Sequence, residues 1–403
     1  MAQATVDAPP TPAVRGRGST AVVRLRRLFP TVTGNELLLV GTTLFLVVFG
    51  LVMVLSSSAI ESRAEYGSML GAFQRQGLFA LVGVPLMLVA SRVPAIWWRR
   101  LAWPGMGLAI VLQALVVFTP LGVVIGGNRN WLSIGGFTLQ PGELGKLALC
   151  VWIGAIFVMK GDLGRRFLHA WIPVAPIAGA FVLLVLRGND FGTVVILAIV
   201  VLGTMFFAGV RWWHLLLPAV AAAVAAVPVL LSADSRVRRL ESFLAGCQNT
   251  DQDYYDTCWQ QLHGMWALAN GGLFGVGLGN SRAKWMWLAE ADNDYIFAII
   301  GEELGLVGAV VVLLLFVVLA VALLRIIREA TQPMTRIVTG GVLVWLVGQA
   351  IVNVAVVLGL LPVLGVPLPL ISAGGSQLVA ALVAIGIVLS LARHDARLRQ
   401  TMT

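Results

Sequence analysis

Ten runs of apolar residues, most of them long enough to cross a lipid bilayer, limit what this chain can fold into. They lie at roughly 37–59, 76–91, 101–122, 143–159, 170–186, 191–210, 213–231, 295–324, 337–358 and 375–392. A hydrocarbon core about 30 Å thick takes about 20 residues of helix. Charged residues make up 12% of the sequence, roughly half of what a soluble domain uses to cover its surface. Lipid is therefore the solvent for most of the chain. A backbone in lipid must satisfy its own hydrogen bonds, and no run shows the alternation of a membrane barrel. The expected fold is an all-α polytopic membrane protein: about ten transmembrane helices within 35–392, a disordered basic tail at 1–34 and a short C-terminal tail at 393–403.

The basic residues orient these spans. With the N-terminus inside, 18 of the 28 Lys and Arg fall on the cytoplasmic side and five in short outer loops. The other five lie in one outer loop, about 232–294 between the seventh and eighth spans, which is long enough to escape the positive-inside rule. Both termini are expected in the cytoplasm. The first run is too long, and too far from the start, for a cleaved signal peptide. The net charge of +9 thus reads as a topology signal and not as a nucleic-acid footprint. Arginines of the tail can touch anionic membrane lipid.

Polar residues at the outer ends of the spans are the candidates for chemistry. Asp294 stands at the mouth of the eighth span, either as a helix N-cap or as a carboxylate made more basic by desolvation. Glu302 and Glu303 lie two turns deeper, where a carboxylate is functional or paired with a neighbouring helix. Asp190 opens the sixth span as a cap or a site residue. Glu143 and Lys146 share one helical face and can pair, with or without an anion arriving at Lys146 and Arg129. Cys247 and Cys258 in the outer loop can close a disulfide if the compartment is oxidising, and Cys150 reads as an apolar filler. The stretch from Gly271 to Gly279 lacks P-loop and dinucleotide patterns, so no ATP site is expected, and the four histidines show no metal-binding spacing. No cofactor is evident, although a divalent cation on a phosphate ligand is compatible. The Gly359–Ser376 loop, with three prolines, is expected to line a cavity, because irregular backbone at membrane depth needs protein or water around it.

Five separated motifs now fall into one order. They are Asn128-Arg129-Asn130-Trp131, Gln140-Pro141-Gly142-Glu143-Leu144-Gly145-Lys146, Asp190-Phe191-Gly192-Thr193, Asp294-Tyr295-Ile296-Phe297 through Gly301-Glu302-Glu303-Leu304-Gly305, and Gly359-Leu360-Leu361-Pro362 through Ser372-Ala373-Gly374-Gly375-Ser376. Over about 37–392 the chain resembles the SEDS family (shape, elongation, division and sporulation), the FtsW/RodA peptidoglycan glycosyltransferases, and more closely its division-type branch. The resemblance implies that lipid II is polymerised at the outer face of the bacterial cytoplasmic membrane, at the division septum. It further implies a class B penicillin-binding transpeptidase and divisome proteins as partners. It assigns Asp294 as the catalytic carboxylate, and Arg129, Lys146, Glu143, Glu302 and Ser376 to the diphosphate and headgroup. The motifs depart from the family at Asn130, Asn189, Ala289, Asp292-Asn293 and Ala373. Asn130 removes a second arginine. Asp292 is expected to make Asp294 more basic if both face the site. A lipid II flippase and the elongation-type branch are the competing readings.

Overall fold

The computed structural model describes residues 34–402 except 136, 232–233, 248–257 and 286. The expected tail at 1–34 lies outside these residues but for Gly34, where the first helix begins. Ten long helices form the bundle: α1 (Gly34–Tyr66), α2 (Gly71–Ala90), α3 (Ala95–Phe118), α4 (Pro141–Lys160), α5 (Phe167–Arg187), α6 (Phe191–Phe207), α7 (Trp212–Leu231), α10 (Ile296–Glu329), α11 (Pro333–Val357) and α12 (Gly375–Met402). Two short helices, α8 (Asp234–Leu244) and α9 (Trp259–Gly271), lie in the long loop. Eight of the ten are long and apolar enough to span a membrane, while α6 and α7 are shorter apolar helices. Helix α12 runs on through Met402, so the C-terminal segment is helical up to that residue.

Burial sorts the helices. Helices α4, α11 and α12 form the interior, whereas α2, α3 and α5 expose most of their surface. The exposed residues are large and apolar, such as Leu81, Val89, Leu108, Val111 and Leu183, as a lipid-facing surface requires. Helix α4 starts with Pro141 at its first position, where the missing N–H costs nothing.

Two features were not expected. The third span ends at Phe118 instead of continuing to 122. Thr119 precedes Pro120 and is therefore held in extended backbone (φ −122°, ψ 159°). Beyond it the chain folds into a three-stranded antiparallel sheet, β1 (Gly122–Ile125), β2 (Asn128–Ile134) and β3 (Phe137–Leu139). Ile125 pairs with Asn128 across Gly126-Gly127, both at positive φ, the two-residue hairpin turn that glycines favour. This sheet is the exception to an otherwise helical fold.

The second feature is a break in α10 at Gly305 (φ 69°, ψ −166°), a conformation open only to glycine. Such a break orphans backbone groups on both sides. The strip 272–277 pairs with them: Leu306 and Val307 donate to the carbonyls of Gly272 and Leu273, and Val276 and Gly277 donate to those of Glu302 and Glu303. The segment following α9 is thereby zipped along α10.

Candidate active site

The segment entering α10 is pinned by its backbone. Ala373 N donates to the Asp292 carbonyl at 2.9 Å, and the Ser372 hydroxyl donates to the Asn293 carbonyl at 2.7 Å. Asn353 Nδ2 on α11 donates both to the Asp294 carbonyl and to the Val366 carbonyl, each at 2.7 Å. Gln349 Nε2 holds the Pro367 carbonyl at 2.9 Å. Three consecutive carbonyls are thus fixed against α11 and the 359–374 loop, which holds the backbone of Asp294 in place.

That side chain borders a cavity of about 310 Å³. Its walls come from β2, the starts of α4 and α6, helix α8, the 289–294 segment, α11 and the 363–374 loop. The last of these bears out the expectation that the proline-rich loop lines a cavity. Asp294 does not cap α10, because Tyr295 holds that position without a side-chain cap bond. Its Oδ1 is buried with no hydrogen-bond partner. Burial is the main cause that pushes its carboxyl from 3.8 up to about 8, helped by the charges of Glu290, Asp190 and then Asp292. Asp292 contributes least of these, and it lines an adjoining cavity of about 330 Å³. Glu290, Asn293, Ala373 and Gly374 line both cavities.

Glu143 and Lys146 line the same cavity from α4. Lys146 Nζ lies 2.7 Å from Glu143 Oε1 and 2.9 Å from Gln349 Oε1, over the Trp345 ring, and each partner of the pair is 2% exposed. Glu143 Oε2 is buried without a partner. Asp190 caps α6, accepting from Thr193 N at 2.9 Å, and also receives Thr193 Oγ1, Asn130 Nδ2 and Gln140 Nε2. Both readings of Asp190 therefore apply, as cap and as cavity wall. Asn130, standing where the motif carries an arginine, is committed to it.

Three residues expected at the diphosphate or headgroup lie elsewhere. Arg129 turns away from the cavity, and its Nη2 donates to the Thr119 carbonyl just past the end of α3 at 2.7 Å. Asn128, Asn130 and Trp131 of β2 line the cavity while Arg129 does not, and the β1–β2 register slips at Asn130, which falls between the partners of Val123 and Val124. Glu302 accepts from Asn270 Nδ2, Ser281 Oγ and the backbone amides of Arg282 and Ala283. Glu303 accepts from Ser56 Oγ and pairs with Lys284 at 3.1 Å. Both glutamates clamp the 276–284 loop, and neither lines the cavity. Ser376 is buried and receives the Gln140 amide at 3.2 Å, fixing the entry to α4 behind the wall. Conversely, Arg239 of α8 and Gln260 of α9 line the cavity. Their distance in sequence from the motifs hid them.

Cys247 and Cys258 are joined, with Cα atoms 5.6 Å apart, tying the turn after α8 to the start of α9. Protein isolated under oxidising conditions is expected to give the 247–258 peptides as one linked species by mass spectrometry, separating only after reduction; free thiols at both positions would reject the bond. Among the described residues no group of three or more His, Cys, Asp or Glu side chains is placed to hold a metal.

Known proteins share this sequence and this architecture. The family model described as a cell cycle protein, covering FtsW, RodA and SpoVE, matches residues 36–397. The probable peptidoglycan glycosyltransferase FtsW of Mycobacterium tuberculosis is 39% identical over 359 residues, 89% of this chain and 68% of that protein. Stage V sporulation protein E of Bacillus subtilis is 34% identical over 90% of this chain and 98% of its own. A chain from a peptidoglycan synthase complex, described as coordinating polymerization and crosslinking, superposes with a TM-score of 0.71 at 26% identity, covering 89% of this chain and 97% of that one. The motifs, the bundle and the cavity at the mouth of α10 thus converge on one assignment, and the chain belongs to the FtsW/RodA/SpoVE family of cell cycle proteins.

Proposed function

We propose that this chain is a peptidoglycan glycosyltransferase of the division type, polymerising lipid II into glycan strands at the outer face of the bacterial cytoplasmic membrane. The observation that carries the reading is a desolvated carboxylate, Asp294, held in a polar cavity at the mouth of a membrane helix. Asp294 takes the proton from the acceptor's GlcNAc 4-hydroxyl as that oxygen attacks the anomeric carbon of the donor's MurNAc. The bond from that carbon to the diphosphate breaks, and the configuration inverts. A base in this role contributes about 10²–10⁴-fold. Lys146 stabilises the negative charge that grows on the departing diphosphate, the kind of electrostatic assistance that is often the largest single contribution. The donor carries its own leaving group, so the reaction needs no nucleotide. The adjoining cavity, which shares a wall with the first, gives the second lipid-linked sugar a place beside Asp294.

The long loop and the cavity then face the cell exterior with both termini in the cytoplasm, and the protein works at the septum beside a class B penicillin-binding transpeptidase and other divisome proteins. The likeness to a chain of a peptidoglycan synthase complex supports a crosslinking partner. Purified protein in detergent, supplied with lipid II, is expected to form glycan strands alone or with that partner. Strands formed where there is no membrane to cross exclude a flippase as the whole function. Failure in both conditions would overturn the enzymatic reading.

A further inference from the structure

We infer that Arg239, on the loop helix α8, is the second cation that grips the substrate diphosphate; this rests on the glycosyl-transfer reading above. The charges lining the cavity leave a deficit. Among the described residues they are the carboxylates Glu143, Asp190, Glu290 and Asp294, against the cations Lys146 and Arg239. Even with Asp294 protonated, three anions face two cations, and a diphosphate adds further negative charge. Lys146 already pairs with Glu143 at 2.7 Å. Arg129 is spent on the end of α3, and Asn130 brings a neutral amide to Asp190. Arg239 makes no ion pair among the described residues. A guanidinium also suits the task, since its planar fork meets two phosphate oxygens at once.

The loop is built to hold this residue over the cavity. The Cys247–Cys258 bond fastens the turn after α8 to the first residues of α9. Two residues beyond that bond, Gln260 Nε2 donates to the Ala289 carbonyl at 3.1 Å, in the segment that leads to Asp294. The helix carrying Arg239 is thus tethered through α9 to the wall that carries the base. The motif's second arginine would come from the β2 strand, where this chain has Asn130, whereas here the charge arrives from the loop helix α8.

The test measures binding of undecaprenyl diphosphate to the purified full chain in detergent micelles, with phosphatidylglycerol as the comparison anion. Arg239→Ala is expected to weaken diphosphate binding about 10- to 100-fold, the scale of hydrogen bonds to charged groups. Arg239→Lys should recover part of that loss, and Arg238→Ala, on the same exposed helix, should bind as wild type. Phosphatidylglycerol binding should be the same for all four proteins. Wild-type affinity in Arg239→Ala, or equal losses at 238 and 239, would overturn the assignment. Lipid II polymerisation is scored separately: Arg239→Ala with wild-type KM rejects Arg239 alone, whereas a wild-type protein that forms no strands rejects the glycosyl-transfer reading. Melting temperature and the linked 247–258 peptides show that each variant is folded.

Discussion

Asp294→Asn is expected to lose polymerisation by about 10²–10⁴-fold and yet to melt at a higher temperature than wild type at neutral pH. The two effects share one cause. The folded chain lifts this carboxyl from 3.8 to about 8, so folding favours its protonated form. The group costs nothing below about pH 4, where both folded and unfolded chains hold the proton. The cost grows as the pH rises towards 8, because ionisation favours the unfolded chain, and at pH 7 it is of order 2–4 kcal/mol. Asparagine cannot ionise and escapes this cost, although its amide inherits the buried, unpartnered position of Oδ1. The melting advantage of the variant over wild type should therefore widen between pH 4 and pH 8. A variant that is inactive and also less stable across that range would mark Asp294 as a structural residue.

Lys146→Ala should be the most destructive substitution at the site, costing about 3–5 kcal/mol of stability because it strands the buried Glu143 carboxylate. Loss of activity in that variant alone proves little, since a damaged fold gives the same result. The pair Glu143→Gln with Lys146→Met separates the two. Replacing both charges by neutral groups of similar volume removes the uncompensated ion, and such replacements are often neutral or stabilising. The double variant should regain most of the melting temperature and still lose most of its turnover, because Arg239 alone then meets the charge on the diphosphate. Recovered turnover together with recovered stability would show that the ion pair is scaffolding only.

The positions of the ten helices were legible because lipid imposes length and apolarity together, and both can be read along a single chain. Asp294, Glu143 and Lys146 were legible for a related reason: few charges occur near these helix ends, so each stands out. Arg129 was misplaced because its direction depends on β2. In an irregular loop it could reach an anion, but in the bulged β1–β2 pair its guanidinium donates to the Thr119 carbonyl while Asn128, Asn130 and Trp131 meet the cavity. The signal for that strand was present in Gly126-Gly127, a two-residue hairpin turn directly after the β-branched run Val123-Val124-Ile125. Glu302 was misread for a different reason. Its partners are backbone amides and small polar side chains of 270–283, and a clamp on backbone groups leaves no motif of opposite charge to find. Ser376, like Glu302, is set by a backbone contact, here the amide of Gln140. Arg239 lay more than 50 residues before Asp294, and only the folded loop brings it to the cavity.

The central claim is that the fold holds Asp294 as a base of raised basicity at the point of glycosyl transfer. The pH dependence of kcat/KM for lipid II, which reports the groups of the free enzyme, tests it most directly. A base with a pKa of about 8 predicts a kcat/KM that climbs about tenfold per pH unit from pH 6 and levels off near 8. A kcat/KM that stays flat between pH 6 and 9, in protein that remains folded, would contradict the claim.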